Sequence, residues 1–411
     1  MKRYPAIAAL FVLALIAYVD RACISSAKEP IAHVLSLSDS AMGLVFGAFA
    51  LGYAFAQIPA GWFADTIGPR LTLALLVSVW SVLSAMTGAT RGLFMLVAVR
   101  FLVGVAEAGI FPSSARAIYN WLPNKERGLA NGIVASGSRI GAAIAFPLLA
   151  YMLKRLSWRI IFISLGALGS SWVFIWILSS RDWPGHAHSQ HDTRESPRPH
   201  ADLGQIIRSR RMVLTMMQYF ASNFTFFVAL SWMFPYLRSH YSLPNPQAAT
   251  FTMFPLLLGA SAQWISGLLV DFLYRHDFGA QSRRLPAIVG FLISASALLA
   301  VTQARSALGA ELWFCLGTFG CEMTISPSWA YCIDIGKTAS GVVSACMNMA
   351  GNLGAFVSAN AFPLLERIAG NSNAFFRTAA FFDVIAVLCW IQMQPEKRPP
   401  SAQARGSVFT S

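Results

Sequence analysis

Charged side chains are scarce. Asp, Glu, Lys and Arg make up 12% of the 411 residues, about half of the roughly 25% usual in soluble domains, and this shortage excludes an ordinary water-soluble fold. Disulfide and zinc frameworks are missing as well. The six cysteines, Cys23, Cys315, Cys321, Cys332, Cys346 and Cys389, all lie in apolar stretches with no CxxC pair, so they read as small core hydrophobes. No phosphate-cradling loop with a following lysine, no HExxH and no Ser/His/Asp arrangement occurs. Enzymatic chemistry, a metal and a cofactor are therefore not expected. Acids are outnumbered by bases, leaving a net charge of +13. In a soluble domain that excess would suggest nucleic acid, but in a membrane protein it marks cytoplasmic loops, so no nucleic-acid partner is expected.

Apolar residues dominate instead, at 56% of the chain with a mean hydropathy of +0.55. Many runs reach the ~20 residues that cross a bilayer as helix. The first, Pro5 to Val19, imitates a signal peptide, but Asp20-Arg21 interrupts it without a small-x-small cleavage site and apolar residues resume at once. Twelve spans are predicted: 5–27, 40–63, 71–90, 93–119, 128–153, 158–179, 212–237, 247–273, 285–303, 309–332, 339–365 and 373–393. The chain is thus expected to be an all-α membrane protein with twelve transmembrane helices in two pseudo-symmetric six-helix bundles, 1–180 and 212–394. Between them 181–211 reads as a cytoplasmic linker rich in Pro, His and charge, and 395–411 as a disordered cytoplasmic tail. Its four histidines have no fixed ligand spacing. Lys and Arg number 18 in the termini and even-numbered loops against 8 in the odd-numbered loops when Arg159, at the start of span six, is counted with them, which predicts that both termini are cytoplasmic. Lys154, Arg155 and Arg159 run against that rule.

Internal repetition supports the two halves. Gly61 and Asp65 at the end of span two recur as Gly267 and Asp271 at the end of span eight, and AFPLL closes both span five and span eleven. Such parallel repeats are a transporter trait.

Ionisable residues inside the spans are the best functional clue, since each costs about 2.5–3.5 kcal/mol at mid-membrane on insertion scales and is normally matched by a partner or a wet cavity. Asp20 and Arg21 lie in span one; Arg100 and Glu107 lie in span four, two turns apart on one face. In one reading Arg21 holds an anionic group with its planar fork of donors while Glu107, with Asp20, takes up and releases a proton. In the other, the four form a static ion-pair lattice. A second polar set comprises Ser344, Asn348 and Asn352 in span eleven and Glu322, Ser326, Ser328 and Trp329 in span ten. These suit a polyhydroxylated ligand, and equally suit hydrogen bonding between membrane helices. Tyr53 and Gln57 make a stripe in span two, whereas Gly43 and Gly47 there, and Gly137 and Gly141 in span five, read as packing positions.

The segment GWFADTIGPR, Gly61 to Arg70, resembles the loop signature between spans two and three of the major facilitator superfamily. AYVDR and RFLVGVAEAGIFPSSARAIYNWLPNKERG, Arg100 to Gly128, resemble the anion:cation symporter family within it, as do Trp158-Arg159 with Phe162 and the SWMFPYL run near Trp232. The resemblance implies the major facilitator fold and a proton-driven importer of small organic anions such as sugar acids or aromatic carboxylates. It implies substrate contacts at Tyr18, Arg21, Tyr53, Glu107, Ser138, Ser326, Ser328, Trp329 and Asn348, and proton coupling at Asp20, Arg100 and Glu107. Gly61, Asp65, Gly68, Arg70 and Asp271 match the conformational motif that cross-links helix ends. The implied setting is the bacterial inner membrane and the implied state a monomer in the lipid bilayer. Departures are SGSRIG in span five, where several relatives carry glutamine for Ser138; Arg139 and Glu322, which would pair across the halves; and Asp383, which has no evident role. A membrane sensor of such an anion and an efflux antiporter remain as alternatives.

Overall fold

A computed structural model describes residues 3–180, 208–279 and 281–393, and within these every regular element is a helix. The linker histidines and the tail lie outside the described residues. In chain order the α-helices are α1 (Arg3–Ser26), α2 (Lys28–Leu35), α3 (Asp39–Thr66), α4 (Pro69–Gly88), α5 (Leu93–Glu107), α6 (Ile110–Trp121), α7 (Arg127–Leu153) and α8 (Trp158–Ser179). There follow α9 (Arg210–Ser231), α10 (Met233–Tyr241), α11 (Asn245–Arg275), α12 (Gln281–Val301), α13 (Ala307–Met323), α14 (Ile325–Gly336), α15 (Ser340–Ala369) and α16 (Asn373–Gln392).

Local sequence sets these boundaries. Ser38, Ser157 and Ser306 each accept a bond from the amide three residues on, capping the starts of α3, α8 and α13. Gly68 takes φ 89°, a conformation that favours glycine, and lets Pro69 open α4 directly behind α3. Three of the predicted spans are broken rather than continuous: α5 and α6 part at Ala108-Gly109, α9 and α10 at Trp232, and α13 and α14 at Thr324. Pro112 and Pro327 sit just inside the second segments, where a missing N–H is tolerated.

Nine helical stretches among the described residues are long and apolar enough to cross a membrane; two of them, Leu93–Trp121 and Ala307–Ala369, fold into more than one helix. Large apolar side chains face outward, including Phe94 at 88% exposure and Phe55 at 70%. In water such a surface would aggregate; against lipid it is the expected one. The protein is a multi-pass membrane protein.

Helix packing repeats itself. Within the first set α1 packs on α7, α3 on α5 and α4 on α8; within the second, α9 packs on α15, α11 on α13 and α12 on α16. The sets meet through α7 against α11 and α3 against α15, again the same pair under exchange of halves. At the end bearing the α3–α4 turn this symmetry becomes atomic. The Asp65 carboxylate accepts bonds from the amides of Gly341 (2.9 Å) and Val342 (2.8 Å) at the start of α15. Asp271 accepts from Gly128 (2.8 Å) and Leu129 (2.9 Å) at the start of α7. Each acid thus satisfies the unpaired amides of a helix in the opposite half and complements its dipole.

These caps need backbone contact. A Cβ placed on Gly341 would stand 2.5 Å from the Gly61 carbonyl oxygen, whereas one on Gly43, further along α3, would meet open space. Gly341→Ala is expected to destabilise the protein by about 1–3 kcal/mol by wedging α3 from α15. Gly43→Ala should leave stability unchanged. Thermal unfolding of the purified protein distinguishes the two.

Candidate functional site

Four of the intramembrane charges gather between α1 and α5, beside α4. Asp20 is wholly buried on α1: its Oδ2 accepts from Trp80 Nε1 (3.1 Å) and its Oδ1 from Ser84 Oγ (3.2 Å), both on α4. Arg100 Nη1 lies 3.8 Å from the same Oδ2. The next residue, Arg21, turns the other way, and its Nε donates to Glu107 Oε2 at 2.6 Å. Two acid–base pairs therefore stand side by side, Asp20 with Arg100 and Arg21 with Glu107.

Their surroundings differ. Both Asp20 oxygens are occupied by hydrogen-bond donors. Of the two Glu107 oxygens only Oε2 is bonded among the described residues, and buried Oε1 has no hydrogen-bond partner there; the same holds for Nη2 of Arg21 and Nε2 of Gln57. Arg21 is the more open of its pair, its side chain one-fifth exposed at 20% against 0% for Glu107. The guanidinium lies 4.8 Å from the ring centre of Tyr18, 5.1 Å from Phe49 and 4.6 Å from Tyr53. Aromatic faces attract and orient a cation without using up its N–H donors. A planar donor fork with a free edge, beside a carboxyl with a free oxygen, suits an incoming carboxylate or sulfonate together with a proton.

The second half supplies the facing wall. Asn348 Nδ2 on α15 donates to Tyr53 Oη and Gln57 Oε1, each at 3.3 Å. Trp329 on α14 lies 5.9 Å from Phe111, which in turn meets Tyr18 edge-on at 6.4 Å. Tyr18, Arg21, Tyr53, Glu107, Asn348 and Trp329 are thus brought together. Three hydroxyls named from the sequence are engaged elsewhere. Ser138 donates to Ala135 O (2.6 Å), Ser326 to Gln263 O (2.8 Å) and Ser328 to Thr324 O (2.6 Å). Arg70 Nη2 donates to the Ile177 carbonyl, and the cation nearest Asp65 is Arg116 at 3.7 Å.

Arg139 and Glu322 pair across the halves: Glu322 Oε1 accepts from Arg139 Nη2 (2.8 Å) and Nε (3.0 Å), and its Oε2 accepts from Gln263. Asp383 is buried in the second bundle with Thr225 (2.9 Å) and Ser294 (2.7 Å) donating to it. Sequence reasoning passed over Trp80 and Ser84, the donors that hold Asp20, and Phe49, Tyr219 and Gln263. The four-residue spacing of Trp80 and Ser84 does place them on one helix face, a signal visible in hindsight.

With this geometry in hand, the comparisons with known proteins are specific. Residues 10–359 match the family model described as Major Facilitator Superfamily. The chain is 32% identical over 385 residues to a probable sulfoacetate transporter of Cupriavidus necator, covering 90% of this chain and 89% of that protein. It is 29% identical over 382 residues to a probable L-galactonate transporter of Escherichia coli, covering 90% and 83%. Among solved structures, a human organic anion transporter superposes with a TM-score of 0.73 at 14% identity, covering 95% of this chain and all of that one at 100%.

Proposed function

The chain belongs to the Major Facilitator Superfamily, whose members are transporters and not enzymes, and on that footing we propose that it imports a small organic anion, a sugar acid or a similar hydroxylated or aromatic carboxylate, by proton symport with alternating access. The proposal places it as a monomer in a bacterial inner membrane with both termini cytoplasmic. The relatives named for sulfoacetate and galactonate support an organic-anion transporter. The observation that carries the finer reading is the Arg21–Glu107 pair with one unbonded polar atom on each partner.

The chemistry proceeds from that pair. A carboxylate or sulfonate entering beside Tyr18 and Tyr53 takes the open edge of Arg21. It then competes with Glu107 for the same cation, and a carboxyl that loses its counter-ion in a buried site favours the neutral form. Protonation of Glu107 and binding of the anion therefore help one another, a linkage in which each raises the other's affinity by the same factor. Asp20 and Arg100 back this exchange through the adjoining residue. The loaded cavity carries less uncompensated charge than a cavity holding the anion alone, so the halves close over anion and proton together. Transport follows because the cargo favours the closing state and not merely the site.

In this scheme the caps of Asp65 and Asp271 hold the cytoplasmic end shut while the cavity faces outward. The test is uptake of labelled galactonate or sulfoacetate into vesicles holding purified protein. Accumulation should rise when the outside is made more acidic than the lumen and vanish when the gradient is collapsed. Uptake of either acid that ignores the gradient would discard proton symport while keeping anion transport.

A further inference from the structure

Glu322 is the repeat mate of Glu107. Glu107-Ala-Gly-Ile110-Phe-Pro112-Ser113 reappears in the second half as Glu322-Met-Thr-Ile325-Ser-Pro327-Ser328, with Glu, Ile, Pro and Ser in register. Both acids stand at the close of a segment that breaks in mid-span, Glu107 as the last residue of α5 and Glu322 as the last but one of α13. Each holds a guanidinium, Arg21 in one case and Arg139 in the other. Both cations stand over aromatic faces: Arg139 lies 3.8 Å from the centre of Phe226, as Arg21 lies near Tyr18, Phe49 and Tyr53.

One surface joins the two pairs. Tyr18, in contact with Arg21, also lies within electrostatic reach of Arg139, and so does Tyr219. Tyr219 accepts a bond from Trp329 Nε1 at 3.0 Å, and Trp329 leads back through Phe111 to Tyr18. Both guanidiniums belong to the first bundle, Arg21 on α1 and Arg139 on α7, and Tyr18 lies within electrostatic reach of each. The Arg139–Glu322 pair differs from the first in one respect: Arg139 belongs to α7 of the first bundle and Glu322 to α13 of the second. Moving the bundles apart at this level separates the pair and leaves two buried charges uncompensated; another anion in the place of Glu322 relieves the Arg139 cation, while Glu322 keeps the bond from Gln263.

We infer that Arg139 and Glu322 form a second anion subsite of the transport cavity, so that the cargo carries two acidic groups, one received by Arg21 and the other by Arg139. This rests on the anion-transport reading above and narrows it to a dianion. Arg139 is the group that selects for the second charge, and Glu322 is its occupant until the cargo arrives.

Binding to purified full-length protein tests this with two matched pairs of probes: galactarate against galactonate, and sulfoacetate against isethionate. The members of each pair are similar in size and differ by one negative charge. Wild type should bind the doubly charged member about tenfold tighter or more, as befits a charge-assisted bidentate contact. Arg139→Gln should bring that ratio to about one while leaving the singly charged member within about threefold. Glu322→Gln, which keeps the size and the amide contact to Gln263, should tighten the doubly charged member several-fold because its competitor for Arg139 is gone. That second variant keeps the test alive if Arg139→Gln does not fold. Equal or weaker binding of the doubly charged members by wild type would overturn the inference and leave anion transport standing. So would an equal loss of both members in Arg139→Gln, or no gain in Glu322→Gln, either of which marks the pair as a strut between bundles. Absence of binding for all four acids to wild type would remove the anion-transport reading together with this one.

Discussion

Arg21→Ala is expected to abolish anion binding and uptake, by at least about a hundredfold, since truncating one member of a buried hydrogen-bonded charge pair costs about 2–5 kcal/mol. The loss has two sources. The fork that meets the cargo disappears, and Glu107, wholly buried, loses the hydrogen bond from Arg21 Nε. The expected defect is therefore in affinity first, so half-saturation should need a substrate concentration higher by that same factor. Arg21→Lys should recover only part of it, because a point charge does not reproduce two parallel donors and sits differently among Tyr18, Phe49 and Tyr53. Isothermal titration with galactonate or sulfoacetate, beside a check that the variant elutes as the wild type does, measures this directly. Binding within threefold of wild type would show that Arg21 does not hold the cargo.

Glu107→Gln is expected to separate exchange from accumulation. Glutamine keeps the shape and one oxygen acceptor for Arg21, so the site still forms, but it has no proton to exchange at any physiological pH. Counterflow of labelled against unlabelled substrate should persist within about threefold, whereas uphill uptake driven by an acid exterior should fall to the level seen without a gradient. The sign follows from the linkage: in the wild type, acidity on the entry side favours the neutral acid and frees Arg21, and in the variant Arg21 is permanently freer. Apparent affinity at alkaline pH should accordingly rise in Glu107→Gln. Normal gradient-driven accumulation by this variant would transfer the coupling role to Asp20 or to Glu322.

How far the sequence carried can be judged from these same residues. Asp20, Arg21, Arg100 and Glu107 were legible because a charge in an apolar span is costly wherever it points, and the span-four signature made the family resemblance plain. Apolar length placed the spans, but it did not show that 93–119, 212–237 and 309–332 are each broken into two helices. What the sequence did not hold was the pairing. Adjacent residues on α1, Asp20 and Arg21, face opposite neighbours, one towards Trp80 and Ser84 and the other towards Glu107, and that division depends on how three helices cross. Ser326 and Ser328 look alike in sequence to Trp329 and Asn348 as polar groups on inward faces. Their hydroxyls nevertheless bond helix carbonyls, a choice open to every buried serine and settled only by what lies opposite. Asp383 was visible as a charge, but its donors Thr225 and Ser294 come from two other helices. The break after Glu322 was marked by Pro327 and acquired meaning only beside its counterpart in the first half.

The caps of Asp65 and Asp271 differ from the central pairs in where they release. Both lie at the rim, where each carboxylate and each helix start, once parted, turns directly to bulk water and finds replacement partners there. In the proposed alternating-access cycle these caps would part against little resistance, while the interior charges would find no solvent waiting to relieve them. Under that proposal the pace would be set from the middle of the molecule outward, with the rim following the passenger.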